Sequence, residues 1–371
     1  MINWIKINIQ GDKYIWVIAI VLSVIGLLSV YSATSLLAFQ QKGGNTEFFL
    51  LKHFLLISFS FIAMWFAHKI DYKYYSKISL IGLYISLPLL FLTYKFGVNI
   101  NEASRWISIP IINMAFQPSD LAKLSLIIYL SSFLSKKQYD LESMKTLIMP
   151  FIWIGLICMF IALTNLSTAL ILGATSILLM FISRVKISHL SILILFILMS
   201  GGLALLTGQR GYTAISRVED FINKKNIPYQ LEQAYIAVST GGLFGKGPGN
   251  SNQKNFLPQS SSDFIYAIII EEYGLIMGVT ILILYLILLY RGLKIFIKSD
   301  RPFGGLLSAG LSFALVIQAI TNMCVVVGLL PVTGVTLPLV SMGGTSQLFT
   351  GITLGIILSI SRENKSGLEY A

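Results

Sequence analysis

Charged residues are scarce in this chain. Lys, Arg, Asp and Glu make up 12% of its 371 residues, whereas ordinary soluble domains carry about 25%, and 55% of the residues are hydrophobic. This composition excludes a soluble globular domain. Acidic residues are the scarcer kind, 16 against 27 basic ones, yet the basic residues do not cluster with aromatics as a nucleic-acid-binding surface requires. We therefore attribute the positive charge to membrane topology and expect no nucleic-acid partner.

Cysteine is nearly absent too. Cys158 and Cys324 both lie inside apolar runs, so we interpret them as small core hydrophobes and not as a disulfide or a metal-binding pair. Residues 1–12 lack the short apolar run and the small-residue cleavage site of a removable signal peptide. Internal repeats are missing as well, which disfavours a transporter built from inverted repeats.

Long apolar runs, in contrast, are abundant. Runs of roughly 18–25 mainly apolar residues predict an all-α integral membrane protein with about ten transmembrane helices. The predicted spans are 14–37, 48–67, 76–96, 118–135, 147–163, 167–184, 187–207, 263–291, 305–328 and 336–361. We expect residues 1–371 to form a single polytopic membrane domain.

The short loops predict the orientation of the spans. Loops around 69–77, 136–145, 184–186 and 291–301 are rich in Lys and Arg and alternate with loops that are poorer in both. By the positive-inside rule, these loops and both termini are cytoplasmic. The polar break around Asn165 could instead lie inside one kinked helix, which would invert every later span, but the charge pattern favours a true break.

One connection is far longer than the others. Residues 208–262 form the predicted extracytoplasmic loop between helices seven and eight, and loops of this length are usually functional or disordered. Aromatic anchors favour function, and Ala234–Thr240 could lie as an amphipathic segment at the membrane interface. The anchors are Tyr212, Phe221, Tyr229, Tyr235, Phe244 and Phe256.

Four groups of polar residues mark candidate chemistry, because ionisable residues in or beside a span are costly to keep without a role. The first group is Asp263, which opens the eighth span, with Glu271 and Glu272 further along. The two glutamates indicate that this helix faces a polar interior. Asp263 has two open interpretations: an N-cap, or a general base acting on a sugar hydroxyl.

The second group joins Arg105 and Trp106 to Asp120 and Lys123, which share one helix face. A surface ion pair is the simplest interpretation of the last two residues. Lys123, however, projects from an apolar span and should point at a cavity or a partner charge.

The third group is the glycine-rich stretch 241–249, with Lys246 inside it and Lys254 after it. Its spacing excludes a nucleotide-binding P-loop, and a flexible turn is the simplest interpretation. Together with Arg217, the two lysines could bind a pyrophosphate head group at the outer interface.

The fourth group contains small residues at 328–334 and 341–346, which suit close helix packing. Gln318 and Asn322 lie one turn apart in the ninth span and need polar partners in lipid.

In this order and among ten spans, the four groups resemble the SEDS family of peptidoglycan glycosyltransferases. The resemblance covers nearly the whole chain. The motifs that carry it are Arg105–Ile107, Gln117–Lys123, Gly241–Gly247, Asp263–Ile265, Glu271–Gly274, Leu330–Gly334 and Ser341–Ser346. Gly11–Lys13 and Asn45–Glu47 are more similar to the division branch than to the elongation branch. Two departures stand out. Residues 163–168 read Leu-Thr-Asn-Leu-Ser-Thr where many members have Gln-Pro-Asp-Leu-Gly-Thr, and Asp120 replaces the usual glutamate.

The resemblance implies polymerisation of lipid II at the outer face of the cytoplasmic membrane, at the septum in the division branch. Its partners would be a class B penicillin-binding protein, other division proteins and the undecaprenyl-pyrophosphate-linked glycan, with Asp263 as the catalytic aspartate. The residues expected to bind substrate are Arg105, Trp106, Asp120, Lys123, Arg217, Lys246, Lys254, Glu271, Glu272, Ser341 and Ser346. No cofactor is certain, although a divalent cation such as Mg²⁺ or Mn²⁺ could offset pyrophosphate charge.

Two other functions remain open at the level of sequence. A flippase or transporter of lipid-linked precursors would suit ten spans with buried charges, but the polar residues concentrate at the outer mouth and not at the midplane. A non-catalytic division scaffold would not need to bury Glu271, Glu272 and Lys123.

Overall fold

A computed structural model describes residues 10–42, 45–100, 103–109, 114–207, 211–223 and 228–369. The fold is helical, with one small antiparallel sheet of order β1-β2-β3. The helices are α1 (Lys13–Ala33), α2 (Ser35–Lys42), α3 (Thr46–Lys69), α4 (Lys73–Phe96), α5 (Pro118–Lys136), α6 (Met144–Ala162), α7 (Leu166–Ile182), α8 (Ile187–Thr207), α9 (Gly211–Asn223), α10 (Tyr229–Gly241), α11 (Ile265–Lys298), α12 (Pro302–Val326) and α13 (Thr345–Glu369). The strands are β1 (Val98–Ile100), β2 (Ala103–Ile109) and β3 (Met114–Phe116).

The predicted helical membrane architecture is confirmed. Among the described residues, seven helices are long and apolar enough to cross a membrane: α1, α3, α4, α6, α8, α11 and α12. The predicted spans 118–135, 167–184 and 336–361 fall on α5, α7 and α13, which are shorter or more polar. The count of ten spans therefore stays a prediction. The last of these spans also differs at its start, because α13 begins only at Thr345 and residues 327–344 are irregular.

The polar break around Asn165 is a turn between two helices. α6 ends at Ala162 and α7 begins at Leu166, and the Asn165 carboxamide oxygen accepts the Thr168 amide at 3.3 Å as an N-cap. The kinked-helix alternative is wrong, because the residue that interrupts the apolar pattern also satisfies the start of the next helix.

The first and last parts of the described chain lie at one end of the bundle. Asp12 accepts hydrogen bonds from the Arg291 guanidinium, including one from Nε at 2.8 Å. Glu363, near the end of α13, forms an ion pair with Lys73 at 2.9 Å. The basic loops between α3 and α4 and after α11 thus share this end with both ends of the described chain, as the positive-inside pattern predicts.

Part of the long predicted loop folds back along α11. The helix breaks at Gly274, where φ is +80° and ψ is 174°, and residues 242–247 lie against the break. Main-chain hydrogen bonds run both ways: Lys246 and Gly247 amides to the carbonyls of Glu271 and Glu272, and Leu275 and Ile276 amides to the carbonyls of Gly242 and Leu243. The loop thereby pairs the groups that the broken helix leaves without partners, which makes irregular backbone tolerable roughly 14 Å along the helix.

The segment Ala234–Thr240 is helical, and its position at the membrane interface stays a prediction. It belongs to α10, which packs on α11 with Ala234 and Ala237 fully buried. Beyond α10, Phe244 is 80% exposed, as an anchor facing lipid or the interface would be. The side chain of the predicted anchor Tyr212 lies outside the described residues, as do 208–210 and 224–227 of the loop.

We predict that Gly274→Ala destabilises the protein. Its backbone conformation is essentially restricted to glycine, and an added Cβ would collide with the Leu243 carbonyl. Strain of this kind costs about 1–3 kcal/mol, so the thermal unfolding temperature in detergent should fall.

Gly202→Ala on α8 is the matched control, since its added Cβ meets no atom within 4 Å. Equal unfolding temperatures for the Gly274 variant and the wild type would show that the loop is not held at the break.

Candidate active site

An irregular segment, residues 327–344, connects α12 to α13. Between Val332 and Pro338, five of its carbonyl oxygens accept hydrogen bonds from side chains on other elements, because main-chain groups without helical partners must find others in an apolar environment. The pairs are Val332 with Arg217 at 3.4 Å, Gly334 with Arg105 at 3.0 Å, Val335 with Asn322 at 2.7 Å, Thr336 with Gln318 at 3.0 Å, and Pro338 with Tyr285. Side chains from β2, α9, α11 and α12 therefore converge on the 327–344 segment.

Asp263 lies where this segment meets the start of α11. The three carbonyls before the helix are each held: Ser261 by the Met342 amide at 2.9 Å, Ser262 by the Ser341 hydroxyl at 2.6 Å, and Asp263 by the Asn322 carboxamide at 2.7 Å. The N-cap position of α11 is Phe264, and no side chain caps that end of the helix. The capping interpretation of Asp263 therefore fails, and its carboxylate is available for other chemistry.

Two arginines share the space in front of Asp263. A Cβ placed on Gly334 would lie 2.9 Å from Arg105 Nη1 and 3.5 Å from Asp263 Oδ2, so both groups border the same small volume. Burial raises the pKa of the Asp263 carboxyl above its ordinary value, while the positive charges of Arg105 and Arg217 partly oppose that rise. The site thus holds a carboxylate of increased basicity beside two fixed cations.

A cavity of about 340 Å³ extends from the two arginines into the bundle. Arg105, Arg217 and Thr333 border one part of it. Much of the remaining wall is apolar and comes from α6, α7 and α8: Ala162, Leu170, Ala174, Ala204 and Leu205. Cations beside an apolar wall match an amphiphile whose anionic head group is joined to a hydrocarbon chain.

Asp120 and Lys123 do not line this cavity. They form an ion pair at 2.7 Å, and Lys123 Nζ lies 3.5 Å from the Gln318 carboxamide oxygen. A separate cavity of about 50 Å³ borders the pair, together with Ser346. Lys123 therefore does have the partner charge that its position in an apolar span requires.

Lys246 of the third polar group pairs with Glu271 of the first group. Glu271 is fully buried and accepts Lys246 Nζ at 2.5 Å and the Ser251 hydroxyl, as well as the amides of Asn252 and Gln253 at 3.2 Å each. This carboxylate holds the glycine-rich loop in place.

The remaining predicted residues are engaged elsewhere. Glu272 accepts a hydrogen bond from Ser32 on α1. Lys254 donates to the Gly249 carbonyl at 2.7 Å. Trp106 follows Arg105 in β2, where its main chain is in register with Val98 of β1, and a role for its side chain in binding stays a prediction. Of the predicted substrate-binding residues, the structure brings Arg105, Arg217 and Ser341 to Asp263.

Asn322 and Gln318 belong to the site, although no role there was predicted for either residue. The signal was present, since both are polar residues in an apolar span that need partners. The sequence does not reveal that those partners are carbonyls of the 327–344 segment.

A metal ion finds few ligands here. No group of three or more His, Cys, Asp or Glu side chains in the described part of the chain could hold one. A divalent cation beside Asp263 would take most of its ligands from phosphate oxygens and water, as Mg²⁺ commonly does.

Comparison with known proteins agrees with this architecture. The family model for FtsW, RodA and SpoVE, described as "Cell cycle protein", matches residues 12–366. The chain belongs to this family. Stage V sporulation protein E of Bacillus subtilis is 34% identical over 365 residues, which are 95% of this chain and 98% of that protein. A protein of Geobacter sp. strain M18, named "Probable peptidoglycan glycosyltransferase FtsW", is 33% identical over the same shares of the two chains.

Solved structures of the FtsW, RodA and SpoVE family share the fold. RodA of Thermus thermophilus has a TM-score of 0.69 over 98% of this chain and 99% of its own, at 22% identity. A chain of a peptidoglycan synthase complex, studied for its coordination of polymerization and crosslinking, has a TM-score of 0.75 over 95% of this chain and 98% of its own, also at 22% identity.

We predict that Glu271→Gln loosens the glycine-rich loop. The change removes the charge that pairs with Lys246 and weakens the bonds to the loop amides, at a cost of about 1–3 kcal/mol. Hydrogen exchange of the amides in 246–257 should become faster.

Glu232→Gln is the control, since Glu232 is an exposed residue on the neighbouring α10. Unchanged exchange in the Glu271 variant would contradict the role assigned to this carboxylate.

Proposed function

We propose that this chain polymerises lipid II into glycan strands at the outer face of the cytoplasmic membrane, with Asp263 as the general base. Its family and the peptidoglycan glycosyltransferase relatives give the class of enzyme. The observation that carries the mechanism is the carboxylate of Asp263 beside Arg105 and Arg217, the two cations that border the amphiphilic cavity. Proton abstraction and leaving-group stabilisation are the two requirements of glycosyl transfer from a pyrophosphate.

The reaction needs one proton transfer and one displacement. Asp263 accepts the proton of the 4-hydroxyl of the acceptor's N-acetylglucosamine, and that oxygen forms a bond to C1 of the donor's N-acetylmuramic acid. The bond from C1 to the pyrophosphate oxygen breaks, and undecaprenyl pyrophosphate leaves from the opposite face with inversion at C1. Atoms and charge balance: the carboxyl gains the proton, and the leaving group keeps the electron pair.

Arg105 and Arg217 are placed to offset the charge on the leaving group. Each donates one hydrogen bond to the 327–344 segment, which fixes the direction of its guanidinium before substrate arrives. Preorganised donors of this kind stabilise developing charge without reorganisation, and a planar guanidinium suits two phosphate oxygens at once. The apolar wall from α6, α7 and α8 would take the first isoprene units of the lipid.

We extend the proposal to the membrane orientation of this chain and to its partners. With the basic end of the bundle in the cytoplasm, both termini are cytoplasmic and 208–262 is the extracytoplasmic loop, within one polytopic domain. A class B penicillin-binding protein would be the partner, in line with the synthase complex whose chain shares this fold. We favour the division branch and thus the septum, because several relatives at 31–33% identity carry division-protein names.

We predict that Asp263→Asn abolishes glycan synthesis from fluorescent lipid II by the purified protein with its penicillin-binding partner. The amide keeps the shape of the side chain but cannot accept the proton, so the thermal unfolding temperature should not change. Removal of a general base typically costs at least about 100-fold in rate.

Asp220→Asn on α9 is the matched control, since this aspartate bonds only to Ser216 among the contacts described. Equal synthesis by the Asp263 variant and the wild type would remove Asp263 from the chemistry. No synthesis by the wild type would favour a flippase or a scaffold instead.

The pH dependence of kcat gives a further prediction. Arg105 lowers the pKa of Asp263, so Arg105→Gln raises that pKa further, and the base is then protonated up to a higher pH. The acidic limb of the kcat profile should therefore move to higher pH. Lys52→Gln, which neutralises an exposed lysine of α3, should leave it in place. An acidic limb that is unchanged or moves to lower pH in the Arg105 variant would contradict the assignment of Asp263 as the base.

A further inference from the structure

Asn322 makes a contact that no other residue of the site duplicates among the hydrogen bonds described. It is 2% exposed, and its carboxamide nitrogen donates to the main-chain carbonyls of Asp263 and Val335, at 2.7 Å each. Both partners are acceptors, so the nitrogen must face them and both of its hydrogens are used. The orientation of the side chain is thereby fixed by its partners.

This contact ties the base to the cation beside it. Val335 follows Gly334, whose carbonyl accepts Arg105 at 3.0 Å, and Gly334 also borders the space shared by the Arg105 guanidinium and the Asp263 carboxylate. The Asn322 carboxamide thus joins the carbonyl of Asp263 itself to the turn of the 327–344 segment that directs Arg105, whereas Ser341 and Met342 of that segment hold the preceding carbonyls of Ser262 and Ser261. A shift of that donor would move the carboxylate relative to the guanidinium.

We infer that Asn322 is a positioning residue that holds Asp263 in register with Arg105 for proton abstraction. The inference rests on the proposed function, in which Asp263 is the base. Asn322 touches neither the reacting atoms nor the pyrophosphate in this arrangement. It acts through Asp263. The position of this carboxylate affects the rate because a displacement of about 1 Å can cost 100-fold.

The simpler alternative is that Asn322 only joins two helices, as polar residues in membrane bundles often do. The chain offers a matched control for that alternative. Ser308 lies on the same helix α12, is fully buried, and donates to the Gly292 carbonyl of α11 at 2.9 Å. It likewise donates from α12 to a main-chain carbonyl, but to one within α11 and far along the helix from Asp263.

Asn322→Leu is the test variant, because leucine has the same branched arrangement of side-chain heavy atoms, is neutral and suits a membrane helix, yet donates nothing. With lipid II and the penicillin-binding partner, kcat should fall at least about tenfold while KM stays within about twofold. Ser308→Ala should keep both values near those of the wild type. Asn322→Ser retains one donor and should show a smaller loss, which keeps the test open if the leucine variant unfolds.

A second readout does not depend on catalysis. A water-soluble carbodiimide modifies protonated carboxyls, so the pH midpoint of Asp263 labelling, followed by peptide mass, reports the charges around this carboxyl. The charged groups that face it are Arg105 from β2 and Arg217 from α9, while Asn322 on α12 is neutral. Loosening Asp263 from these cations in Asn322→Leu should move the midpoint to higher pH, with no shift in Ser308→Ala.

The outcomes test the positioning role of Asn322 and the proposed function separately. A wild-type kcat in Asn322→Leu, a loss matched by Ser308→Ala, or an unmoved labelling midpoint would overturn the positioning role. Absence of synthesis by the wild type would instead overturn the proposed function, and the labelling midpoint would still test whether Asn322 places Asp263.

Discussion

The structure depends on one constraint: irregular backbone inside a membrane protein must have its polar groups paired. The 327–344 segment meets it by taking donors from Arg105, Arg217, Gln318, Asn322 and Tyr285, which come from four different elements. Satisfying those carbonyls therefore assembles two cations beside the start of α11. The glycine-rich loop meets the same constraint at the break in α11 through reciprocal main-chain bonds.

Charge pairing decides which ionisable residues are available for chemistry. Lys246 is paired with Glu271, and Lys123 with Asp120, so their charges are offset within the protein and stabilise it. Asp263 instead faces arginines that are already oriented by main-chain carbonyls, in surroundings where burial raises its pKa. A carboxylate in that setting is a better base than an exposed one, and the arginines beside it keep part of it ionised.

The sequence predicts the helical architecture better than it predicts the contacts between side chains and main chain. Hydropathy and basic loops indicate the spans, and the distribution of Lys and Arg favours a true break at Asn165. Hydropathy does not report backbone pairing, however, so the irregular start of the predicted span 336–361 and the helix break at Gly274 are invisible to it. Glu271 and Lys246 belong to different groups of polar residues in the sequence, and their separation by 25 residues gives no sign that they pair with each other.

The proposed mechanism requires the pyrophosphate of lipid II to bind at Arg105 and Arg217, next to Asp263. The most direct test is an experimental structure of the Asp263→Asn variant, inactive but folded, with lipid II bound in a lipid nanodisc. We expect phosphate density against both guanidinium groups, with the lipid chain along α6, α7 and α8 and the acceptor hydroxyl about 3 Å from residue 263. Phosphate density at Lys246 and Lys254, or at Asp120 and Lys123, would contradict it.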